Sequence, residues 1–191
     1  MRRLLIPLAL MLALAGCRED AAPRPDPVAM TDDATGHFCQ MNLNEHPGPK
    51  AQVHLAGMPN PLFFSQVRDA VAFKLMPEQE GLIAAIYVSD MAAGPWEAPG
   101  ATNWIAAEDA FYVTGSDQPG GMGTPELIPF GTEAAARSFA DTHHGAVQRL
   151  ADIPAEVVLA PDGPATTTTE EDDSDFAARL KALSAPKEPT P

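Results

Sequence analysis

The chain is poor in cysteine, in basic residues and in long apolar runs. Its 191 residues include two cysteines, too few for a four-cysteine zinc site or a framework of several disulfides. Twelve lysines and arginines stand against 26 aspartates and glutamates, and the net charge of −14 disfavours binding to nucleic-acid phosphates. No apolar run reaches the roughly 20 residues that a bilayer-spanning helix requires. The composition therefore argues against both a nucleic-acid-binding protein and a spanning helix.

Proline is plentiful, and its distribution divides the chain into a body and two polar segments. The 45% hydrophobic content indicates a folded domain, whereas 20 prolines exclude a helical bundle. Residues 17–35 mix proline with acidic residues, which predicts a flexible tether. Residues 161–191, rich in proline, threonine and acid, predict a disordered tail. About 125 residues, 36–160, remain for one modest core.

The start of the chain has the pattern of an export signal. Two arginines precede an apolar run over residues 4–15, and the run closes in Leu-Ala-Gly-Cys at Cys17. These four residues resemble a bacterial lipobox, whose cysteine receives lipid and becomes the first residue of the mature protein. We therefore expect residues 1–16 to be a signal peptide and Cys17 to anchor the protein on the periplasmic side of a membrane. Arg18, rather than aspartate, after that cysteine slightly favours the outer membrane.

Lipidation of Cys17 would leave Cys39 as the one free thiol, so no disulfide could form within the chain. Unpaired thiols persist in an oxidising compartment when they are buried, bound to a metal or used in chemistry. Cleavage would also remove two arginines and no acid, which lowers the charge from −14 to −16. Cys39 is the strongest functional signal in the sequence.

Within the body, the same order of predicted elements occurs twice. Alternating and apolar runs predict strands over residues 50–55 and 61–64, and a turn separates them. Ser65 is a suitable N-cap for a helix with apolar residues at every fourth position. A continuous apolar run over residues 82–88 then predicts a buried strand.

The second half repeats this order from residue 104. An apolar run predicts a strand over residues 105–114, and a loop rich in glycine and proline leads to a short strand over residues 127–130. A helix is expected from Thr132, followed by a last strand over residues 146–150.

We interpret the pattern as an α+β fold of two pseudo-repeated β-β-α-β half-domains, at about residues 36–90 and 104–160. In each half a phenylalanine ends the strand before the helix, and another follows nine residues later.

Soft sulfur atoms occur in two segments that should be irregular and exposed. Cys39 and Met41 follow the tether, and Met122 stands between glycines in the long loop of the second half. Methionine usually fills gaps in a core, but the glycines beside Met122 offer no apolar surface. One thiolate and two thioethers suit Cu(I), whereas zinc sites collect more thiolate or imidazole. His37, two residues before Cys39, is placed to add a nitrogen donor.

Four stretches of the body resemble the NosL family. They are HFCQMNLNEH at 37–46, VSDM at 88–91, AFYVTGS at 110–116 and GGMGTPELIPF at 120–130. The combination of Cys-x-Met with Gly-Met-Gly after a lipobox is the specific part of the likeness.

The resemblance implies a copper-binding lipoprotein that assists the maturation of nitrous-oxide reductase and is not an enzyme. It implies paired β-β-α-β halves akin to the fold of organomercurial lyase. Cys39, Met41 and Met122 become the expected ligands of one Cu(I) per monomer, with His37 as a less secure fourth. The implied partners are the reductase maturation machinery, including the periplasmic part of an ABC-type assembly complex, and the membrane through the lipid anchor.

Two other functions fit some of these residues. A thiol enzyme would use Cys39 as nucleophile and His37 or His54 as base, although no acid or amide is evidently placed to orient that base. A lipoprotein adaptor without metal would use Trp96 and Trp104 as contact anchors, but it leaves the free thiol unexplained.

Overall fold

Two antiparallel sheets, each with a helix, form the part of the chain that this computed structural model describes, residues 24–78, 81–160 and 181. The predicted signal peptide, Cys17 and all but one residue of the predicted tail lie outside these residues. No helix within the described ranges is long and apolar enough to cross a membrane.

The first sheet has four strands in the order β2-β1-β3-β4, and helix α1 connects β2 to β3. In chain order its elements are β1 (Ala51–Leu55), β2 (Leu62–Phe64), α1 (Val67–Leu75), β3 (Ile83–Ser89) and β4 (Trp104–Ala106). A 3-10 turn, Leu43–Glu45, precedes them. β1 is buried on both faces, because Ala51 and Val53 enter the core while Gln52 and His54 are covered from the other side.

The second sheet has three strands in the order β6-β5-β7. Its elements are β5 (Phe111–Thr114), β6 (Ile128–Phe130), α2 (Glu133–His143) and β7 (Ala146–Arg149), followed by a 3-10 turn (Leu150–Asp152) and the short helix α3 (Ala155–Leu159). Both sheets thus carry strand, strand, helix and strand in that order, with the first strand between the other two. The prediction of a mixed fold with antiparallel sheets and few helices is confirmed.

The core joins the two halves. Its larger part lies between the first sheet and α1, and it includes Phe64, Val67 and Val88. Tyr112 and Leu127, from the second half, are buried in this same cluster. The loop from β5 to β6 therefore begins and ends near side chains packed against the first half.

The predicted strand over residues 105–114 is wrong, because that run forms β4 and β5 in different sheets. Between them, the N–H of Ala107 donates to the Ile86 carbonyl in β3 at 2.9 Å. The Ala107 carbonyl accepts from the Tyr112 hydroxyl at 2.7 Å. Because β4 pairs with β3, the second half begins at β5 rather than at residue 104.

The N-cap expected at Ser65 is also wrong. Helix α1 begins at Val67 after Gln66, which makes no side-chain cap hydrogen bond. The Glu126 carboxylate accepts from the N–H groups of Val67 (3.2 Å) and Arg68 (2.9 Å) instead. The cap of α1 thus comes from a distant part of the chain. The helix start at Thr132 is confirmed, since its hydroxyl accepts from the N–H of Ala135 in α2.

Residues 24–35, the described part of the predicted flexible tether, are bonded to the body. Gln52 accepts from the Val28 N–H at 2.8 Å and donates to the Val28 carbonyl at 2.9 Å. The Tyr87 hydroxyl donates to the Pro25 carbonyl at 2.7 Å. The expectation of flexibility is wrong for this part, because buried polar side chains of the first sheet bind its backbone.

Candidate metal centre

The segment that carries Cys39 and Met41 is a tight loop. The Gly36 N–H donates to the Met41 carbonyl at 3.0 Å, and the Gln40 N–H donates to the Gly36 carbonyl at 2.8 Å. Gln40, between the two sulfur-bearing residues, takes the left-handed conformation at φ 57°, which a non-glycine residue rarely adopts. These bonds fix the path of the backbone between Cys39 and Met41, and we call this segment, residues 36–41, the Cys39 loop.

Two contacts attach the Cys39 loop to the end of β2. The Cys39 sulfur lies 3.0 Å from the hydroxyl oxygen of Ser65, and the His37 N–H donates to the Phe63 carbonyl at 2.7 Å. A Cβ at Gly36 would lie 2.5 Å from the Cys39 sulfur and 2.7 Å from the Ser65 oxygen. Glycine is therefore required at position 36 for this approach of thiol to hydroxyl.

The donor groups of this loop are accessible. Cys39 is half-buried, and Met41 is 37% exposed. His37 is exposed, and its ring packs against the rings of Phe64 and Phe73, each 5.6 Å away between ring centres. Aromatic packing thus orients His37, while solvent reaches both it and Met41.

Met122 lies in a second tight loop, residues 120–124, which we call the Met122 loop. The Gly120 N–H donates to the Thr124 carbonyl at 2.8 Å, and the Gly123 N–H donates back to Gly120 at 2.8 Å. A side chain at Gly121 would overlap the carbonyl of Pro47, so the loop backbone packs closely there. Met122 itself is half-buried.

Both loops contact residues that directly precede α1. The amide nitrogen of Gln66 donates to the Thr124 hydroxyl at 2.8 Å, and the preceding residue, Ser65, contacts the Cys39 sulfur. Two consecutive residues, Ser65 and Gln66, therefore each contact one of the two loops. The Cys39 loop and the Met122 loop are thus each in contact with one residue of the short segment just before α1, and the His37 N–H is bonded to the Phe63 carbonyl in β2.

A buried carboxylate lies directly behind the Met122 loop. Glu126 accepts from the N–H groups of Val67, Arg68 and Leu127, at 2.8 to 3.2 Å. Burial raises its pKa to about 8, whereas the three N–H groups oppose this rise because they favour the charged form.

A buried ammonium group supports the other contact of the Met122 loop. The Lys50 Nζ donates to the carbonyls of Gly48 (2.7 Å) and Pro47 (3.0 Å), and Pro47 is the residue against which Gly121 packs. Burial lowers the pKa of Lys50 to about 8. Lys50 thereby fixes the backbone on which one side of the loop rests.

Sequence reasoning selected Ser65 only as a helix N-cap and did not select the other polar residues that hold these loops. Ser65, Gln66, Thr124 and Glu126 are of common types, and only their long-range contacts distinguish them. Thr124 and Glu126 do fall within the stretch 120–130 that carries the family resemblance. The family resemblance of that stretch was the one feature of the sequence that could have pointed to Thr124 and Glu126.

His54, the alternative base for a thiol enzyme, is engaged elsewhere. Its Nε2 lies 2.8 Å from the amide oxygen of Gln52, and its ring packs against Tyr87 at 5.6 Å between ring centres. Burial lowers the pKa of His54. Because Cys39 contacts Ser65 instead, the structure does not pair His54 with the thiol.

The two tryptophans proposed for an adaptor are half-buried and make contacts within the body. Trp96 packs against Gly48 and the core of the second half. The Trp104 indole N–H donates to the Ala101 carbonyl at 3.0 Å, and its ring lies 6.3 Å from that of Phe63. Contacts within the domain are therefore sufficient to explain the positions of both indole rings.

Within the described ranges, no group of three or more histidine, cysteine, aspartate or glutamate side chains is arranged to hold a metal ion. Met41 lies in the same loop as the free thiol of Cys39, and Met122 lies in the loop that is bonded to Gln66.

Comparisons with known proteins agree with the sequence resemblance. The family model for NosL matches residues 27–158. The copper-binding lipoprotein NosL of Achromobacter cycloclastes is 50% identical over 190 residues, which cover 97% of this chain and 96% of that protein. A protein of the same name from Stutzerimonas stutzeri is 36% identical over 151 residues, covering 76% and 77% respectively.

The fold is also similar to that of a solved structure. The crystal structure of the copper chaperone NosL from Shewanella denitrificans superposes with a TM-score of 0.63 at 30% sequence identity. The match covers 69% of this chain and 96% of that structure. Fold, motifs and matched length lead to one conclusion: this chain belongs to the NosL family.

Proposed function

We propose that this chain is a copper-binding lipoprotein that acts as a copper chaperone, and that it holds one Cu(I) ion per monomer with the sulfur atoms of Cys39, Met41 and Met122. One observation carries the proposal. The two loops that bear these sulfur atoms are bonded to adjacent residues, Ser65 and Gln66, at the start of α1.

The donor set suits a carried ion. Cu(I) is a soft cation that prefers thiolate and thioether sulfur, and one thiolate balances its single charge. The thioethers hold the ion without having to lose a proton. Cys39 and Met122 are half-buried and Met41 is exposed, so an acceptor protein would reach the ion without unfolding the domain. His37, which is also exposed, is the proposed fourth ligand.

The proposed destination of the copper is nitrous-oxide reductase during its maturation. The partners are then the maturation machinery and the periplasmic part of an ABC-type assembly complex. The family membership and the names of the relatives as copper-binding lipoproteins support this role. The lipobox at Cys17 supports anchoring on the periplasmic side, with the outer membrane slightly favoured.

We also infer that the two halves derive from one β-β-α-β unit by duplication, in a fold akin to that of organomercurial lyase. The shared order of elements and the central position of the first strand in each unit support this inference.

The test is a Cu(I) titration of the anaerobic mature protein against a chromogenic Cu(I) chelator. We expect one equivalent to bind. Cys39→Ala should weaken binding most, because it removes the anionic sulfur, and Met122→Ala should weaken it less. Met58→Ala is the matched control, since Met58 is 55% exposed in the turn between β1 and β2. Affinities that are the same in all three variants and the parent would contradict the proposal.

A further inference from the structure

Glu126 joins two parts of the chain that are far apart in sequence. It is 4% exposed and lies two residues after the Met122 loop. One carboxylate oxygen accepts from the N–H groups of Arg68 and Leu127, and the other accepts from the N–H of Val67. The side chain thus connects the end of the loop to the first turn of α1.

A helix does not need a distant residue to bind the N–H groups of its first turn. A serine, threonine, aspartate or asparagine at the cap position satisfies the first N–H groups locally. Here Gln66 occupies that position and directs its amide to Thr124 instead. Because burial of a carboxylate is unfavourable unless several donors bind it, Glu126 is a costly choice for a cap alone. The arrangement has a further consequence, which is to hold the Met122 loop against α1.

The same helix start also holds the other sulfur-bearing loop. Ser65 contacts the Cys39 sulfur at 3.0 Å, only two residues before the first N–H bound by Glu126. The relative position of the Cys39 and Met122 loops is therefore set across residues 65–68. Loss of the bond at either end would let one loop move relative to the other.

We propose that Glu126 is a positioning residue of the copper site, which keeps Met122 within reach of a Cu(I) ion on Cys39 by bonding the Met122 loop to the start of α1. This inference rests on the proposed function. Residues that orient metal ligands from behind typically change metal affinity by about 10- to 100-fold when they are replaced.

The test is a double-mutant cycle of Glu126→Gln and Met122→Ala, with Cu(I) affinity measured by chelator competition on the mature protein. Glutamine keeps the shape but presents an NH₂ group to N–H donors. We expect Glu126→Gln to weaken Cu(I) binding about tenfold when Met122 is present. With Met122→Ala already in place, the same change should alter the affinity less than about twofold, because no thioether remains to be positioned.

Glu133→Gln is the matched control, since Glu133 is an exposed carboxylate in the first turn of α2 and contacts neither loop. It should leave the affinity unchanged. If Glu126→Gln does not fold, Thr124→Val removes the other bond to the helix start and should show the same dependence on Met122. Equal losses with and without Met122 would overturn the positioning role, whereas a parent protein that binds no Cu(I) would overturn the proposed function first.

Discussion

Ser65 lies one residue before the cap position of α1, and its hydroxyl contacts the sulfur of Cys39. The hydroxyl is buried, and the distance of 3.0 Å is short enough for a hydrogen bond in which either group donates. In the proposed copper complex Cys39 is a thiolate and cannot donate, so Ser65 would then be the donor. A bond of this kind would help to orient the sulfur of Cys39.

For the Ser65 side chain we predict that Ser65→Ala lowers Cu(I) affinity severalfold. The same change should lower the free energy of unfolding by about 1 kcal/mol, which is the usual contribution of one hydrogen bond. Chelator competition and urea unfolding measure the two effects. Ser138→Ala, on the exposed face of α2, is the control. An affinity that stays at the parent value would show that the Ser65 contact is irrelevant to the metal.

Residue type is sufficient to select the candidate donors but not the residues around them. Cys39 is an unpaired thiol, and Met122 is a methionine between glycines, so both differ from their surroundings in the sequence itself. Gln66 and Glu126 are ordinary polar residues there. Their roles depend on contacts across 58 and 59 residues of chain, which no local pattern encodes.

Helix α1 is the element on which the site depends. The sequence predicts it well, because apolar residues at every fourth position indicate a helix with one buried face. Its cap could not be predicted, since the local serine is used elsewhere and Glu126 comes from the second half. The turn between β4 and β5 was missed because its bond to Ile86 is a tertiary contact and no glycine or proline marks the turn in the sequence.

The cap of α1 should give stability a characteristic pH dependence. The pKa of Glu126 is raised from 4.5 to about 8, chiefly by burial, so the folded state retains a proton that the unfolded state loses. The contribution of Glu126 is therefore full below pH 4.5 and is lost as the pH rises through about 8. We predict that the unfolding free energy of the parent, measured relative to Glu126→Gln, falls between pH 5 and 8.

Urea unfolding of both proteins at several pH values measures this difference. Lys50 titrates near the same pH, with its pKa lowered to about 8, but it is present in both proteins and its direct contribution largely cancels. A constant difference across this range would contradict the assignment of a raised pKa to Glu126.

The molecule as a whole combines an excess of acidic residues with a larger core cluster to which both halves contribute side chains. Tyr112 and Leu127 pack with the first sheet, so the two ends of the long segment that contains the Met122 loop are anchored in that core. The net charge of −14 would favour a basic surface over an acidic one on the proposed transfer partner. The sequence indicated the two-part body, but the bonding of residues 24–35 to it depends on Gln52 and Tyr87 across the fold.

The proposed lipid anchor at Cys17 should determine where the whole protein is located. Cys17→Ala should move the protein from the membrane fraction to the soluble fraction, because one lipidated cysteine is the expected attachment. Cu(I) affinity should not change, since Cys17 lies outside the domain that bears the sulfur donors. Fractionation followed by immunoblotting measures the location. A parent protein recovered in the soluble fraction would refute lipidation while leaving the copper site untouched.

The most direct measurement of the central claim is X-ray absorption at the copper edge of the Cu(I)-loaded mature protein. We predict an edge typical of Cu(I) and a first shell dominated by sulfur, which loses one scatterer in Met122→Ala and does not change in Met58→Ala. A first shell made only of nitrogen and oxygen, or a shell that is unaffected by loss of Met122, would contradict a copper centre formed by the Cys39 and Met122 loops.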